Sequence, residues 1–498
     1  MHKSDAATHE AMPAASNGPI LIWFRQDLRL ADNPALTAAL EEARDNDRKL
    51  APVFILDDQA AGAWAMGAAQ RWGLHQALNA LSESMPVILK RGDSLTALQA
   101  LIRETGATSV YWNRRYEKWA VDQDIMIKET LHEQGLDCHS FNGRLLLEPW
   151  EVQTGKKEPY RVFTPYWRNV QQMLGKKPPV LRPSHRNFPL LSPLPKGDAL
   201  ADWALLPTTP DWATGFVKPW PLTEKAAHQV LAEFIDDPLA HYTKERDFPA
   251  IEATSRLSPY LALGLISPKQ IWHDVTLAMH DGRISPGAHH EAEAFLRQLV
   301  WREFSYHLLF YFPHSADKAL YPKYDAFPWR YAAKELEAWQ RGETGYPLVD
   351  AGMRQLWQTG WMHNRVRLVV ASFLVKHLLI RWQDGAAWFW DTLLDADLAN
   401  NTMGWQWTAG SGADAAPYFR IFNPITQSEK FDAKGDYIRA YVPELGGLPD
   451  KYLHAPWTAP ADILAKAGVE LGKTYPKPMV DHPAARARAL DALKEISA

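Results

Sequence analysis

The chain has one cysteine, Cys138, in 498 residues. That excludes an internal disulfide framework and any site built from several thiolates. A small buried side chain in a reducing cytoplasm is the expectation for it. Long apolar runs are also missing. The most apolar stretch, VRLVVASFLVKHLLI (366–380), is broken by Arg367 and Lys376 and reads as a buried helix rather than a membrane span. The N-terminal MHKSDAATHEAMPAASNGP has no apolar core of signal-peptide length, so residues 1–18 read as a disordered tail. Charge of one sign is not in excess: 54 Lys and Arg stand against 58 Asp and Glu, a net charge of −4. Nucleic-acid binding, if the chain does it, must use a local basic face.

What is abundant is tryptophan, 22 residues, beside 17 tyrosines and 18 phenylalanines. Most belong in a core, because indoles carry large burial energies. Their number also raises stacking and electron transfer as uses.

Over residues 19–149, short β-rich runs alternate with segments of helical spacing. The runs are ILIWF (20–24), LAPVFIL (50–56), PVILKRG (86–92), SVYWNR (109–114) and DCHSF (137–141). The helical segments are 35–43, 68–81, 95–104 and 119–134. This predicts a Rossmann-like α/β domain with a parallel sheet covered on both faces. The dinucleotide fingerprint GxGxxG is absent; FRQDLRL follows the first strand instead. Residues 150–223 are rich in proline, as in KKPPVLRPSHRNFPLLSPLPKG, and read as a linker without periodicity. The linker is basic: between 156 and 186, Lys156, Lys157, Arg161, Arg168, Lys176, Lys177, Arg182 and Arg186 face only Glu158. A solvated surface and a nucleic-acid contact both fit. From 224 to 498 the pattern is helical, as in SPKQIWHDVTLAMH and EAEAFLRQLVWREFSYHLLFYF. The architecture expected is an α/β domain, a linker and an all-helical domain.

Several local patterns carry chemistry. In LLDADLANNTMGWQW (393–407), two acids sit among apolar residues and precede two amides and two indoles. DAD resembles the start of a calcium loop, but the glycine and terminal glutamate of such a loop are missing. Buried carboxylates need partners, and Arg365 and Arg367 of WMHNRVRL are the candidates. In ATSRLSPYLALG (253–264), three hydroxyls and an arginine precede a helix start. That suits either phosphate binding or plain capping by Ser258 with Pro259 in the first turn.

Together and in this order, TSRLSPYL, WREF, TGYPLVDAGMRQL, TGWMHNRVR, DADLANN, GWQW and DAAPYFRIFNP resemble the DNA photolyase/cryptochrome family. WFRQDLRLADNPAL resembles that family's first strand and loop. The likeness covers roughly residues 19 to 456 and is nearest the bacterial enzymes that repair cyclobutane pyrimidine dimers. It implies FAD as cofactor, held in the helical domain. Tyr242, Thr254, Ser255, Arg256, Leu257 and Ser258 would hold phosphates and ribityl chain. Arg302, Asn364, Arg367, Asp395, Ala396, Asp397 and Asn401 would surround the rest. Asn401 would face the flavin N5, where an amide adds neither charge nor a proton. Trp405, Trp382 and Trp329 would carry electrons inward from the surface. Trp301 and Trp407 would sandwich the flipped-out lesion, with Asn364 and Arg365 against it or its phosphate. The implied mechanism is light-driven: an electron passes from reduced FAD to the dimer, the cyclobutane ring splits, and the electron returns. Base flipping is the family's general habit.

Two features depart from that pattern. Gln298 stands three residues before Trp301, where the dimer-repairing enzymes carry a glutamate. It can hydrogen-bond a lesion but carries no charge. Glutamine at this place is familiar in the (6-4) photoproduct branch, which has a histidine where this chain has Asn364. The dimer reading is therefore preferred, with (6-4) repair and a cryptochrome-type receptor as alternatives. The short helical segment HPAARARALDALKEIS at the end counts against the receptor. Many relatives also hold an antenna chromophore, a folate or a deazaflavin. GAWAMGAAQRWG (62–73) lacks the histidine expected for folate, and its identity stays open, with Arg71, Asn113 and Glu117 in the regions concerned. DNA containing pyrimidine dimers is the expected partner. A cytoplasmic monomer without a metal or a membrane span is expected.

Overall fold

In the computed structural model, residues 17–414 and 419–496 are described. The expected tail thus lies outside the described residues except for its last two positions, as does part of DAAPYFRIFNP. The chain is organised in two compact units.

The first unit comprises residues 1–65, 78–144 and 181–204. Its sheet has five parallel strands, β1 (Ile20–Phe24), β2 (Leu50–Leu56), β3 (Ile88–Arg91), β4 (Ser109–Asn113) and β5 (Asp137–Phe141), in the order β3-β2-β1-β4-β5. The register pairs Ile20 with both Leu50 and Ser109. Strands β1, β2 and β4 are buried along their whole length, which is why they read as unbroken apolar runs. Edge strand β5 is more exposed.

The strand order reverses between β1 and β4, the place where open parallel sheets form a ligand crevice. Here the ends of both strands are tied together by buried polar side chains. Arg25 pairs with Asp124 at 2.8 Å, and the Trp112 indole donates to the same carboxylate. Asn113 Nδ2 donates to Asp27 at 2.5 Å and to Asn33 at 2.7 Å. FRQDLRL, standing where a phosphate-binding loop was absent, supplies half of this network. Glu117, at the start of the following helix, is pushed up by burial, but Arg115 and Arg144 outweigh this and hold its carboxyl at about 2.

The second unit comprises residues 66–77, 145–180 and 205–498. It is helical. The expected patterns become the helices Glu224–Asp236, Pro268–His280, His289–Tyr311 and Pro347–Thr359. Pro sits in the first turn of two of these, where its missing N–H costs nothing. The apolar stretch 366–380 is buried, but it is not one regular helix. Asn364–Ser372 is α-helical and Phe373–His377 is a π-helical turn. Its Lys376 is 1 % exposed and donates to Ala409 O, so the charge that broke the run lies inside the fold.

One expectation is corrected outright. Residues 150–223 are not free of periodicity: Phe163–Lys176 is a helix that buries Phe163, Tyr166, Val170 and Leu174, an i, i+3, i+7, i+11 stripe. The flanking prolines masked it.

Candidate functional site

Inside the second unit lies a cavity of about 590 Å³, within the usual range for cofactor sites. Seventeen of the twenty residues singled out in the sequence line it. They are Tyr242, Thr254, Ser255, Arg256, Leu257, Ser258, Gln298, Trp301, Arg302, Asn364, Arg367, Asp395, Ala396, Asp397, Asn401, Trp405 and Trp407. They come from the short helix Tyr242–Glu245, from the TSRLS loop, from one face of the His289–Tyr311 helix, from the start of Asn364–Ser372, and from the DAD turn with the Leu398–Ala409 helix that follows.

The DAD turn holds these elements together. Asp395, with a side chain only 3 % exposed, pairs with Arg367 at 2.7 Å and accepts from the Ser258 hydroxyl at 2.6 Å. Ser258 is therefore not a helix cap. The capping position of the short Ser258–Leu263 helix is Leu257, and the hydroxyl is committed to Asp395. Asp397 caps the Leu398–Ala409 helix through Asn400 N at 3.0 Å and accepts from the Tyr306 hydroxyl. The acids thus balance a cation and satisfy backbone groups within the protein, as buried carboxylates must.

Arg256 adopts a left-handed backbone, φ +51°, that is rare for a residue with a side chain. Its guanidinium lies 4.7 Å from the ring of Trp220 and 5.3 Å from that of Trp361. Trp361 also donates to Ser258 at 3.4 Å. Tyr242 is wedged edge-on between Phe234 and Phe295, and burial raises its hydroxyl pKa. Asn401 donates to Ala386 O at 3.0 Å.

Three expected residues do not line the cavity. Arg365 is one: it pairs with Asp247 at 2.6 Å and lies over Phe431. Of the two arginines considered as partners for the buried acids, only Arg367 serves. Trp382 opens the helix Trp382–Thr392 and is 2 % exposed. Trp329 is half-buried against Phe327, 4.4 Å between centroids. Trp405 bridges cavity and core, touching Phe389 and Trp339. A Cβ on Gly385 would lie 2.1 Å from its ring, so the Trp382–Thr392 helix passes against that indole only because residue 385 is glycine.

Sequence reasoning missed Trp361, Asn400, Met403 and Gly404, which also line the cavity. Trp361, Asn400 and Gly404 lie inside motifs already quoted, so their place in the pattern was the available signal. Met403 accepts from the Ser305 hydroxyl at 2.9 Å, a contact no spacing announces.

The lining fits a large anionic ligand with flat rings. Arg256, Arg302 and Arg367 supply positive charge, and Thr254 and Ser255 supply hydroxyls. Asp395 Oδ1, Arg256 Nε and Trp405 Nε1 are buried without a protein partner, which bound ligands commonly explain. A Cβ placed on Gly404 would meet nothing within 4 Å, so that helix face stands open to the cavity. Among the described residues no group of three or more His, Cys, Asp and Glu side chains is arranged to hold a metal ion.

Comparison with known proteins shows the family. Residues 20–184 match the DNA photolyase domain, and residues 295–495 match the FAD binding domain of DNA photolyase. The chain belongs to the DNA photolyase family. It is 51 % identical to the deoxyribodipyrimidine photo-lyase of Agrobacterium fabrum, over 95 % of this chain and 97 % of that one. It is 38 % identical to cryptochrome-2 of Arabidopsis thaliana, over 95 % of this chain and 79 % of that one. Among solved structures, a bacterial class III photolyase from Agrobacterium tumefaciens superposes with a TM-score of 0.91 at 48 % identity, covering 99 % of this chain and all of that one. The α/β and helical parts expected from sequence are those of this photolyase family. No helix among the described residues is long and apolar enough to cross a membrane.

Proposed function

We propose that this photolyase repairs cyclobutane pyrimidine dimers in DNA by light-driven electron transfer, with FAD in the 590 Å³ cavity. The observation that carries the reading is that one cavity gathers the TSRLS, WR, DAD and NN residues together with Trp301 and Trp407. A flavin site and an aromatic stacking site thus share one wall. The identity to a deoxyribodipyrimidine photo-lyase supports the same choice.

When bound and reduced, FAD supplies an electron donor that blue or near-UV light activates. The protein's part is to hold and insulate it. Arg256, pinned by two indoles, and the hydroxyls of Thr254 and Ser255 take the anionic portion. Asp395 offers its unpartnered oxygen to a ligand donor. Asn401, anchored on Ala386 O, keeps a neutral amide in the cavity. Trp405 stands between cavity and core, and Trp382 and Trp329 continue the path outward. Trp301 and Trp407 offer flat apolar faces to an extruded pyrimidine dimer. Gln298, one helical turn from Trp301, donates and accepts hydrogen bonds without charge. Exposed lysines and arginines supply the salt-dependent attraction to phosphates. A monomer acting in the cytoplasm is part of this reading, as is a second chromophore of folate or deazaflavin class.

The test is repair itself. Chemically reduced protein is mixed with an oligonucleotide carrying one thymine cyclobutane dimer and illuminated with blue light beside a dark control. Intact thymines are then counted by chromatography. Light-dependent restoration is expected. FAD-loaded, reduced protein that leaves the dimer intact overturns the reading, and Gln298 then moves the (6-4) and receptor alternatives ahead. The absorbance of the same preparation shows whether a folate or deazaflavin band accompanies the flavin.

A further inference from the structure

The corrected helix Phe163–Lys176 has an unusual neighbour. The Phe163 ring lies flat on the indole of Trp301, 3.5 Å between centroids and 9° between planes. Phe163 is 1 % exposed, so this stack covers one face of Trp301 and leaves the indole to line the cavity with the rest. The ring is held from its other sides by Phe304, at 5.7 Å and 66°, and by Arg297, at 5.5 Å.

Its backbone is held as well. The first N–H groups of a helix have no partner within it, and Val162, at the capping position, offers no side-chain acceptor. The acceptor comes from far along the chain: Phe163 N–H donates to the Asp414 carboxylate at 2.6 Å. Asp414 follows the helix that carries Trp407. The turn between them is folded back on Gln406, whose carbonyl accepts from Ser411 N and Gly412 N, each at 3.0 Å. The Gln406 side chain is saturated in turn. Its oxygen accepts from Leu320 N at 2.7 Å, and its amide donates to Ser315 O and Lys318 O at 2.7 and 2.9 Å. A path of chain and hydrogen-bond links therefore runs from the backbone of Trp407 through Gln406 and the 411–412 turn to Asp414, and from there through Phe163 to Trp301.

We propose that Gln406, Asp414 and Phe163 form a brace that sets the two lesion-stacking tryptophans relative to each other before DNA arrives. Phe163 and Asp414 are then positioning residues for dimer recognition. The inference rests on the function proposed above. An indole backed on one face cannot turn to meet a ligand; it must already stand where the extruded base will stack, which is how preorganisation raises affinity. Undamaged DNA, which meets the phosphate-binding surface without entering the cavity, gains nothing from the brace.

The test compares wild type with F163L, which keeps a buried apolar side chain of somewhat smaller size but removes the stack, and D414A, which removes the acceptor. D414N retains an acceptor oxygen and serves as the conservative variant. Dark affinities are measured at fixed salt by fluorescence anisotropy, for one oligonucleotide with and without a thymine dimer. FAD content and repair rate at saturating dimer are measured on the same samples. F163L and D414A are expected to lose at least about tenfold in preference for the dimer, the scale of one lost base–aromatic stack. Affinity for undamaged DNA, FAD content and saturated repair rate stay near wild type, and D414N stays near wild type throughout. Folded, FAD-loaded F163L and D414A with full dimer preference overturn the brace. Should D414A not fold, F163L and the equally apolar F163M decide the matter alone. A wild type that neither prefers nor repairs the dimer overturns the proposed function and the brace with it. A repairing wild type with indifferent variants removes only the brace.

Discussion

Asp395 offers the sharpest perturbation, because its two oxygens have different employment. One accepts from Arg367 and Ser258; the other is buried and has no protein partner. D395A strands Arg367. Breaking a buried pair from one side costs about 3–5 kcal/mol. The Arg367 side chain is 23 % exposed and its Nε still donates to Met362 O at 2.8 Å, so the low end, about 3 kcal/mol, applies. D395N keeps an acceptor for both donors and loses only charge assistance, about 1–2 kcal/mol. FAD binding follows a different order. If the free oxygen receives a ligand donor, the amide group of D395N presents a donor there instead. Both variants then lose a charged hydrogen bond, about 1.5–3 kcal/mol, or roughly 10- to 150-fold in affinity. Urea denaturation of the apoprotein and flavin fluorescence titration separate the two quantities. Stability should rank wild type, then D395N, then D395A, while the two variants bind FAD comparably poorly. D395N that binds FAD like wild type refutes the assignment of the free oxygen. D395A within about 0.5 kcal/mol of wild type refutes the buried ion pair as the tie between the DAD turn and the Asn364–Ser372 helix, since that is the range of changes at surface sites.

Other outcomes follow from single residues. G404A should stabilise the apoprotein by about 0.5–1 kcal/mol, because alanine is the better helix former, yet weaken FAD binding, because its methyl enters the open helix face; calorimetry and fluorescence titration should move in opposite directions. W382F should slow light-driven FAD reduction by an external donor at least tenfold while leaving repair by chemically reduced protein intact, as read by flavin absorbance and by the dimer assay. Q298E should retain FAD and repair the dimer several-fold faster above the carboxylate pKa, with a pH profile that wild type lacks. His307 accepts from Tyr160 N at 2.9 Å and burial lowers its pKa to about 4. Its stabilising contribution is complete above 6.5 and is lost as pH falls toward 4, so H307Q should flatten urea denaturation over that window. Glu303, one turn earlier, acts in the opposite sense: burial raises it to about 7 against the opposing pull of Arg302, so its contribution is lost as pH rises from about 4.5 to 7, and E303Q should remove that slope.

The sheet was legible because parallel strands covered on both faces leave a direct mark: ILIWF and LAPVFIL are apolar at every position and fully buried. The long helices announced themselves by spacing and by proline at their starts. Phe163–Lys176 did not. Its stripe is sound, but the surrounding prolines and lysines drew attention to composition rather than period. In the site, residue identity was readable and pairing was not. Arg365 and Arg367 are two apart on one helix and so point to different sides; only the fold shows that one meets Asp395 and the other Asp247. Trp361, Asn400 and Met403 have the chemistry of ordinary core or surface residues, and nothing local distinguishes an indole that pins Arg256 from one that fills space.

The same distinction explains why the cavity mixes burial with unmet hydrogen bonds. Tyr242, Trp301 and Trp405 are each fixed by ring contacts within the protein, with Phe234 and Phe295, with Phe163, and with Phe389 and Trp339. Asp395 and Arg256 are each satisfied on one side and unmet on the other. An unmet buried polar atom costs about 1–3 kcal/mol, so several of them facing one cavity ask for a partner from outside the protein. Three such atoms, on Asp395, Arg256 and Trp405, converge on one space, beside aromatic rings held by their own neighbours, and describe a wall built rigid and left unsatisfied toward the ligand. A cofactor that enters finds its partners already aimed, and the binding free energy is not spent on ordering them.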